Sequence, residues 1–241
     1  MSPPRVRLEF CCREGDGLWA LDPGQERHLT KSLRCYEGAM IEGLLQEGDG
    51  LKLLMRLEKI DGRRLLRAVE PIKQERAGPE VTLLIGLLKA DQFDSVLRAS
   101  SELGISAVHP VMCERSVPRI GDELPRKMIR WRRILDESSK VSGFVCATKI
   151  SPPKALCDFD WANVPDERYA AMLAASTRPI SGVSPKGDVA FAVGPEGDWT
   201  DSEMSVLLKK NFVPLSLGPG ILRSSTAAIV GCGWLRMSCT A

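Results

Sequence analysis

Two glycine-bearing loops near the C-terminus carry the residues whose types and spacing are most informative about chemistry. The first is Gly194-Pro195-Glu196-Gly197, and the second is Leu217-Gly218-Pro219-Gly220-Ile221-Leu222-Arg223. Each follows a short apolar run. Glycines let backbone N–H and C=O groups approach a ligand closely, and prolines hold a loop in one shape. One such loop alone is more often an ordinary tight turn, but two on successive strands favour a ligand site.

The loops lack the common phosphate-binding signatures. The sequence contains no Gly-x-x-x-x-Gly-Lys-Ser/Thr, and no Gly-x-Gly-x-x-Gly follows a predicted strand. A slot lined by backbone groups therefore suits a ligand that is recognised by a base edge and apolar faces. The two histidines, His28 and His109, have no metal-ligand partner at a useful spacing, and His109 is expected to be structural. We expect no metal.

Alternating strand and helix patterns predict the scaffold that positions the loops. Apolar runs predict strands at residues 81–88, 107–112, 169–173, 189–193 and 213–217, and helices are expected at residues 91–103 and 126–139. Asp91 is the expected N-cap of the first helix, and Gly104 is its stop. Thr200 to Glu203 form a capping box for a helix that runs to Lys210, and Ser224 or Ser225 could cap the last helix. This order predicts an α/β fold with a mostly parallel sheet, in which ligands bind beyond the carboxyl ends of the strands.

The N-terminal part of the chain follows a different pattern. Short apolar stretches at residues 6–10, 39–45, 51–57 and 65–69 alternate with turn signals at residues 15–17, 48–50 and 61–62. Residues 26–33 could form one or two helical turns. The pattern predicts a small antiparallel barrel or sheet. Because residues 73–79 are polar and rich in helix and strand breakers, we place the domain boundary there, with domains at 1–72 and 73–241.

Composition limits the classes of function. The chain has 241 residues, is 44% hydrophobic and 27% charged, and carries a net charge of +2, which permits nucleic-acid binding but does not argue for it. No apolar run is long enough to span a bilayer, and the first residues carry no export signal. Eight cysteines without a Cys-x-x-Cys pair indicate reduced thiols instead of a disulfide framework or zinc site. We therefore expect a cytoplasmic protein.

The two loops, taken with the residues around them, resemble the paired C-terminal motifs of the bacterial 16S ribosomal RNA uridine-N3 methyltransferases of the SPOUT superfamily. The resemblance rests on the first loop with Glu203, and on Leu217-Gly218, Ile221-Leu222-Arg223 and Thr226-Ala227. It continues upstream through Lys89, Glu102-Leu103-Gly104, Pro110, Glu114-Arg115-Ser116, His28-Leu29 and Leu33-Arg34. It therefore covers nearly the whole chain.

The resemblance implies a fold, a cofactor and a reaction. The fold would be a PUA-like β-barrel domain over residues 1–72, followed by a SPOUT methyltransferase domain over residues 73–241 with a C-terminal trefoil knot. The protein would be a homodimer that uses S-adenosylmethionine to methylate N3 of one uridine in 16S rRNA or the small ribosomal subunit, without a membrane or a metal. The cofactor-binding residues implied are Leu173, Gly194, Pro195, Glu196, Gly197, Leu217, Gly218, Ile221, Leu222 and Thr226.

Two arginines are the candidates for a catalytic role in this reaction. The sulfonium methyl donor is already activated, so catalysis is mainly a matter of positioning. Uridine N3 carries a proton at neutral pH and must lose it, which requires a base or a cation that stabilises the anion. Arg115 and Arg223 are the candidates for that cation. For each, a surface ion pair at a loop or helix end is an equally good interpretation without the resemblance.

Basic residues are expected to contact RNA. Arg126, Lys127, Arg130, Arg132 and Arg133 surround Trp131, so the helix could hold phosphates while the indole stacks on a base. A solvated helix face is the common alternative. In the first domain Lys31, Arg34, Arg63, Arg64 and Arg67 are basic, but acidic residues balance them in number. With the resemblance, the expected RNA-binding residues are Lys31, Arg34, Lys89, Arg130 and Arg133.

The chain departs from the family's pattern at five positions. Gly220 and Ser225 replace the usual arginine and acidic residue of the second loop, Val141 and Phe144 replace a glutamine and an arginine, and Ala99 replaces a helix lysine. Backbone contacts to a cofactor depend little on these side chains, whereas RNA contacts depend on them more. Two alternatives therefore stay open: a non-catalytic RNA-binding or ribosome-assembly protein on the same scaffold, and a SPOUT methyltransferase that acts on another RNA.

Overall fold

A computed structural model of the chain describes residues 3–9, 12–15, 17–45, 51–73, 79–117, 121–173 and 177–238. The chain divides into two compact units. The first contains Met1–Arg76 and Ser139–Ala147, and the second contains Ala77–Ser138 and Thr148–Ala241.

The first unit is built on a five-stranded sheet in the order β1-β3-β4-β5-β2. Its elements are β1 (Arg5–Leu8), β2 (Leu18–Ala20), α1 (Pro23–Arg27) continued by a π-helical turn (His28–Ser32), β3 (Met40–Leu45), β4 (Leu51–Ile60) and β5 (Arg63–Ile72). In β4 every second side chain from Leu53 to Leu57 is buried, so one face of the sheet forms a core around Leu29. The predicted turn at residues 48–50 lies outside the described residues.

Two features of this sheet differ from the sequence prediction. Short β2 was not predicted, and β1 pairs with β3 in parallel, whereas the other pairs are antiparallel. The parallel pair is possible because β2 and α1 lie between β1 and β3 in the chain, and parallel strands need a long connection.

The segment Ser139–Ala147 is joined to β1 through backbone oxygens. Arg5 donates to the carbonyl oxygen of Val141, and Arg7 Nη1 donates to that of Val145 at 2.8 Å. Arg7 Nη2 also donates to the carbonyl oxygen of Phe144 at 3.4 Å. Because these bonds use main-chain acceptors, they do not depend on which side chains stand at Val141 and Phe144.

The second unit contains a seven-stranded sheet in the order β10-β12-β9-β11-β6-β7-β8, in which every described pair of neighbours is parallel. The strands are β6 (Val81–Gly86), β7 (Ala107–Val111), β8 (Lys149–Ile150), β9 (Glu167–Ala171), β10 (Arg178–Pro179), β11 (Val189–Val193) and β12 (Val213–Ser216). The helices are α2 (Ala90–Glu102), α3 (Leu124–Ser142, whose last residues belong to the first unit), α4 (Asp201–Lys209) and α5 (Ser224–Met237). Every residue of β6 and β11 is buried, because helices cover both faces of the sheet. The predicted mixed α/β fold with a parallel sheet is confirmed.

The structure confirms one predicted helix N-cap and contradicts two others. Thr200 and Glu203 form the predicted capping box of α4. The prediction of Asp91 as N-cap is wrong: α2 has Lys89 at that position, and Glu196 of the first loop accepts a hydrogen bond from the Lys89 backbone N–H at 3.2 Å. A carboxylate at this helix start replaces the side-chain cap and is stabilised by the helix dipole. The prediction of Ser224 or Ser225 as the cap of α5 is also wrong, because extended Arg223 holds the N-cap position without a side-chain bond.

The connection from β11 to β12 brings the two loops together. β12 does not pair with β11 but lies on the far side of β9, so β9 separates the two strands. After β12 the chain turns back, and α5 packs against β11, β6 and α2. The loops that follow β9, β11 and β12 consequently share one edge of the sheet.

Candidate cofactor site

A cavity of about 440 Å³ lies at the carboxyl ends of β9, β11 and β12. Its volume falls within the range of small-molecule sites. The walls come from the end of β9, the two glycine-bearing loops and the first turns of α2 and α5. The lining residues are Gln92, Ala171, Met172, Leu173, Val193, Gly194, Pro195, Glu196, Asp198, Leu215, Ser216, Leu217, Gly218, Gly220, Ile221, Leu222, Arg223, Ser224 and Ala227.

Most of the residues predicted to bind the cofactor meet at this cavity. Those that line it are Leu173, Gly194, Pro195, Glu196, Leu217, Gly218, Ile221 and Leu222. Gly197 and Thr226 are not among the described lining residues. A Cβ added to Gly197 would lie 2.8 Å from the Cβ of Arg115, so this glycine gives room to a neighbouring side chain instead of to the cavity.

Sequence patterns missed several residues of the wall. Met172 and Ser216 each precede a predicted residue, and Asp198 directly follows the first loop, so an extension of each motif by one residue would have found them. Gln92 comes from α2, which lies far away in the chain. No local pattern marks it, because only the packing of α2 beside the first loop brings it to the cavity.

The cavity has an unusually exposed apolar side. Ile221 is 81% exposed and Leu173 is 66% exposed, although both are large aliphatic side chains next to a recess. Gly218 has a φ of +133°, a conformation that side chains rarely adopt, so the second loop can turn here only with glycine. This side of the cavity suits the apolar face of a ligand.

The cavity wall also carries polar groups. Glu196 and Asp198 both contribute to its wall, and the Oε1 atom of Gln92 is buried without a hydrogen-bond partner among the described residues. Burying an unsatisfied acceptor costs about 1–3 kcal/mol. A ligand with a donor group near Gln92 would relieve that cost.

Close packing fixes the first loop from beneath. Gly86 ends β6 under the loop, and a Cβ added to it would lie 2.5 Å from the backbone nitrogen of Pro195. Only glycine leaves room for this approach. The loop therefore rests directly on the backbone of the central strand.

Hydrogen bonds from two other elements hold the same loop. Arg115 Nη1 donates to the carbonyl oxygens of Gly197 and Trp199, each at 3.2 Å. Glu203 accepts from the backbone N–H of Glu114 at 2.9 Å and from that of Thr200 at 2.9 Å. The start of α4 and the segment after β7 are thereby tied to the loop that forms the cavity wall.

A thiol near these bonds is held in its neutral form. Burial raises the pKa of Cys113 well above its ordinary value, and the negative charge of Glu203 raises it further. A thiol that stays protonated is a poor nucleophile. Cys113 is therefore part of the packing under the site.

The two predicted catalytic arginines lie in different environments. Arg223 lines the cavity and is exposed, and its guanidinium has no hydrogen-bond or ion-pair partner among the described residues. Arg115 is not among the described lining residues and is bound to loop carbonyls. Arg223 can contact a ligand directly, whereas the recorded contacts of Arg115 position the loop.

The two predicted RNA-binding residues of the first unit differ from three other basic residues of that unit in their ion pairing. Arg63, Arg64 and Arg67 form ion pairs with Glu14, Glu26 and Glu58. Lys31 and Arg34 are exposed and have no such partner among the described residues, and Arg34 has a φ of 53°, which is uncommon for a residue other than glycine.

The predicted base-stacking role of Trp131 is wrong. Its side chain is only 6% exposed, and its ring centroid lies 4.8 Å from that of Phe93 in the core between α2 and α3. Arg130 is bound to buried Asp94, and Arg133 pairs with Glu137 one turn away at 2.8 Å. Lys89 is exposed at the start of α2.

His109 has structural contacts. Its Nδ1 lies 2.9 Å from the Ser151 hydroxyl, and its ring packs edge-on against Phe159. Burial lowers the pKa of His109 below its ordinary value, and the charge of Lys154 adds to the effect. Among the described residues, no group of three or more His, Cys, Asp or Glu side chains is placed to hold a metal ion. No helix within the described ranges is long and apolar enough to cross a membrane.

Known proteins share both sequence and fold with this chain. Residues 75–236 match the RNA methyltransferase domain family. The ribosomal RNA small subunit methyltransferase E of Synechocystis is 30% identical over 200 residues, which span 77% of this chain and 65% of that protein. The chain therefore spans slightly less than two thirds of that relative's length.

Two solved structures have the same fold over nearly the full chain. A Legionella pneumophila protein in complex with the bound cofactor SAM superposes with a TM-score of 0.82 and 25% identity, over 96% of each chain. A ribosomal RNA small subunit methyltransferase E from Neisseria gonorrhoeae, bound to S-adenosyl methionine, gives a TM-score of 0.80 at 24% identity, also over 96% of each chain. The resemblance that the loop motifs predicted is confirmed. With the family match extending from the start of the parallel-sheet unit to the last turn of α5, the chain belongs to the RNA methyltransferase family.

Proposed function

We propose that the chain is an enzyme that uses S-adenosylmethionine to methylate N3 of a uridine in the 16S rRNA of the small ribosomal subunit. The observation that carries the proposal is a single cavity at the sheet edge, walled by both glycine-bearing loops and by Arg223. Membership of the RNA methyltransferase family supports the reaction class. The uridine N3 specificity rests on the resemblance of the loop motifs.

The residues of the cavity fit the cofactor. When bound, S-adenosylmethionine supplies an activated methyl group on a sulfonium. The exposed aliphatic side chains of Leu173, Ile221 and Leu222 suit the faces of its adenine, and the backbone of the two loops suits the base edge. The carboxylates of Glu196 and Asp198 and the unpaired Gln92 oxygen suit the cationic, hydrogen-bond-donating end of the molecule. Gly197 and Thr226 stay in the proposed set of cofactor-binding residues because each is a neighbour in sequence of residues in the cavity wall.

Arg223 and Arg115 have separate roles in this proposal. Uridine N3 becomes a nucleophile only as it loses its proton, and the guanidinium of Arg223, with no partner among the described residues, stabilises the negative charge that develops. Arg115 holds the carbonyl groups of Gly197 and Trp199 and so keeps the first loop in its binding conformation. The proton lost from N3 passes to solvent, which reaches the exposed side chain of Arg223.

The finer features of the fold are also proposals. The path from β11 across β9 to β12, with the return of α5 to β11 and β6, supports a trefoil knot around the cavity. The five-stranded sheet of residues 5–72 supports a PUA-like domain. Within it, Lys31 and Arg34 are the proposed RNA contacts, and Lys89 is the proposed contact of the second unit. Arg130 and Arg133, which the sequence also predicted to contact RNA, are held in ion pairs with Asp94 and Glu137.

The protein is proposed to act as a homodimer in the cytoplasm. Val230, Trp234 and Met237 share one face of α5 at helical spacing, and they are 44%, 37% and 77% exposed. A face of this kind at the end of the helix that walls the cavity is suited to a second copy of the chain. Analytical ultracentrifugation measures the oligomeric state directly.

Methyl transfer to ribosomal subunits tests the proposed function. Tritiated S-adenosylmethionine is incubated with the protein and with small subunits from a strain that lacks the modification, and the labelled base is mapped. Label at N3 of one uridine in 16S rRNA supports the proposal, and label on another RNA supports a methyltransferase of different specificity. Calorimetry with S-adenosylmethionine separates both from a non-catalytic RNA-binding protein, which would bind RNA without turnover.

A further inference from the structure

The exposed face of α3 carries basic residues that differ in what their charges already contact. Arg130 is bound to Asp94, whose side chain is only 4% exposed, and Arg133 pairs with Glu137. Lys127 pairs with Glu123 at 3.3 Å. Arg126 and Arg132 are exposed and have no hydrogen-bond or ion-pair partner among the described residues. The helix therefore has two arginines whose charge is available to a ligand.

The paired arginines are poorly suited to bind phosphate. If Arg130 left Asp94, it would leave a buried carboxylate whose other oxygen, Oδ1, already lacks a partner among the described residues. Leaving a buried charge uncompensated costs about 3–5 kcal/mol. A contact between Arg130 and a phosphate would have to exceed that cost, whereas Arg126 and Arg132 can bind phosphate without breaking any recorded interaction.

The position of α3 relates these arginines to the cavity. Trp131 packs on Phe93 of α2, and the residue before Phe93, Gln92, lines the cavity wall. Arg126 and Arg132 are six residues apart, which is about 9 Å along the helix axis and about 120° around it. A single strand that crosses the helix obliquely can therefore contact both side chains one helix away from the proposed methyl-transfer site.

We propose that Arg126 and Arg132 bind the phosphate backbone of single-stranded RNA, while Arg130 acts through Asp94 to join α3 to α2. The inference rests on the proposed function for its class of partner. The sequence allowed phosphate binding by five basic residues of this helix, and the inference assigns it to two of them. Base stacking by Trp131 has no part in it.

The salt dependence of RNA binding tests the assignment. For single strands, the logarithm of the binding constant falls with the logarithm of salt concentration by about 0.7 per phosphate contact. Each of Arg126→Ala and Arg132→Ala should therefore reduce the slope by about 0.7, and affinity should fall about eightfold near 50 mM salt but only about threefold near 200 mM. Binding is measured by fluorescence anisotropy with the full chain and a labelled, uridine-rich single-stranded oligoribonucleotide.

Two control variants separate the loss of a phosphate contact from the loss of a positive charge elsewhere and from a loss of stability. Lys209→Ala removes the same charge from exposed α4, where Lys209 also has no partner among the described residues, and it should leave the slope unchanged. Arg130→Ala should lower the unfolding temperature. Its slope should stay at the wild-type value, provided that the measurement is made well below that temperature.

Three results would overturn the inference. A wild-type slope in both Arg126→Ala and Arg132→Ala, an equal reduction in Lys209→Ala, or no binding of the oligoribonucleotide by the wild-type chain would each refute it. The wild-type protein is also assayed for methyl transfer to small subunits. If it transferred no methyl group, the proposed function would be refuted, but the salt slopes of the variants would still show whether Arg126 and Arg132 contact phosphate.

Discussion

Substitution of Gly86 by alanine should weaken cofactor binding although Gly86 itself does not line the cavity. The added Cβ would lie 2.5 Å from Pro195 N, 2.7 Å from Pro195 Cδ and 3.0 Å from the carbonyl carbon of Gly194. Carbon contacts are comfortable at about 3.5–4.0 Å, so the backbone of the loop would have to move by roughly 1 Å. None of these atoms can rotate away, since they belong to the main chain or a proline ring.

The size of the effect follows from where the strain is relieved. Overpacking of this kind costs about 1–3 kcal/mol. β6 is buried on both faces and cannot yield easily, whereas the loop borders an open cavity. Most of the strain should therefore displace the loop. If all of it opposed binding, the affinity for S-adenosylmethionine would fall by about 5- to 150-fold.

Calorimetry with S-adenosylmethionine and thermal unfolding measure the two components of this prediction. Gly220→Ala is the matched control, because Gly220 lines the cavity itself but an added Cβ there has no atom within 4 Å. That variant should bind like the wild type. If Gly86→Ala had both wild-type affinity and a wild-type unfolding temperature, the close approach of β6 to the loop would not matter, and the reasoning would be refuted.

Three further predictions concern named side chains. Arg223→Ala should fold, dimerise and bind S-adenosylmethionine normally but lose about 100- to 1,000-fold in kcat, as when one charge-stabilising donor is removed; full retained activity would exclude the proposed role. Arg115→Ala removes two exposed or half-exposed hydrogen bonds to the loop, together worth about 1–3 kcal/mol, so cofactor affinity should fall by about 5-fold, and by at most about 150-fold, with little change in kcat; a loss confined to kcat would indicate direct contact with the substrate. For Glu42, partial burial acts to raise the pKa, but hydrogen bonds and charges from Arg5 and Lys52 outweigh it, so the net shift is downward from 4.5. Its stabilising contribution is thus present above pH 4.5 and is lost as the pH falls through the lowered pKa. Thermal unfolding of the wild type between pH 6 and pH 3 should show this loss, which Glu42→Gln should reduce; identical pH profiles would contradict it.

The four α-helices and five of the seven described strands of the second unit could be predicted because each has a local cause, whereas the two-residue strands β8 and β10 were not predicted. Buried strands such as β6 and β11 are continuous apolar runs, and the capping box at Thr200 and Glu203 lies within four residues. Helix starts that depend on distant partners could not be predicted. The start of α2 is stabilised by Glu196, more than 100 residues away, and no pattern near Asp91 indicates that.

The residues of the candidate site were likewise predictable where the motif is local and unpredictable where the contact is long-range. The loop residues and Arg223 were identified from motifs, since their spacing is continuous in the chain. Gln92 was missed, and Trp131 was allowed a stacking role that needs an exposed side chain, because the side of a helix that is covered depends on its neighbours. The ion pair with Asp94 likewise separates Arg130 from Arg126 and Arg132 only in the folded chain, whereas the pair of Arg133 with Glu137 follows from their spacing of four residues on one helix.

The sequence by itself determined the family, the parallel α/β architecture and the two loops, because these are written in residue types at short, fixed spacings. The tertiary structure decided how the loops meet. Placement of β9 between β11 and β12 brings their carboxyl ends to one edge, and Gly86 allows the first loop to rest on β6. The tertiary structure also places Arg223 in the cavity wall and joins Arg115 by hydrogen bonds to the loop that forms this wall. The physical reason is that cavity walls and ion pairs arise from contacts between residues distant in the chain, which no local pattern encodes.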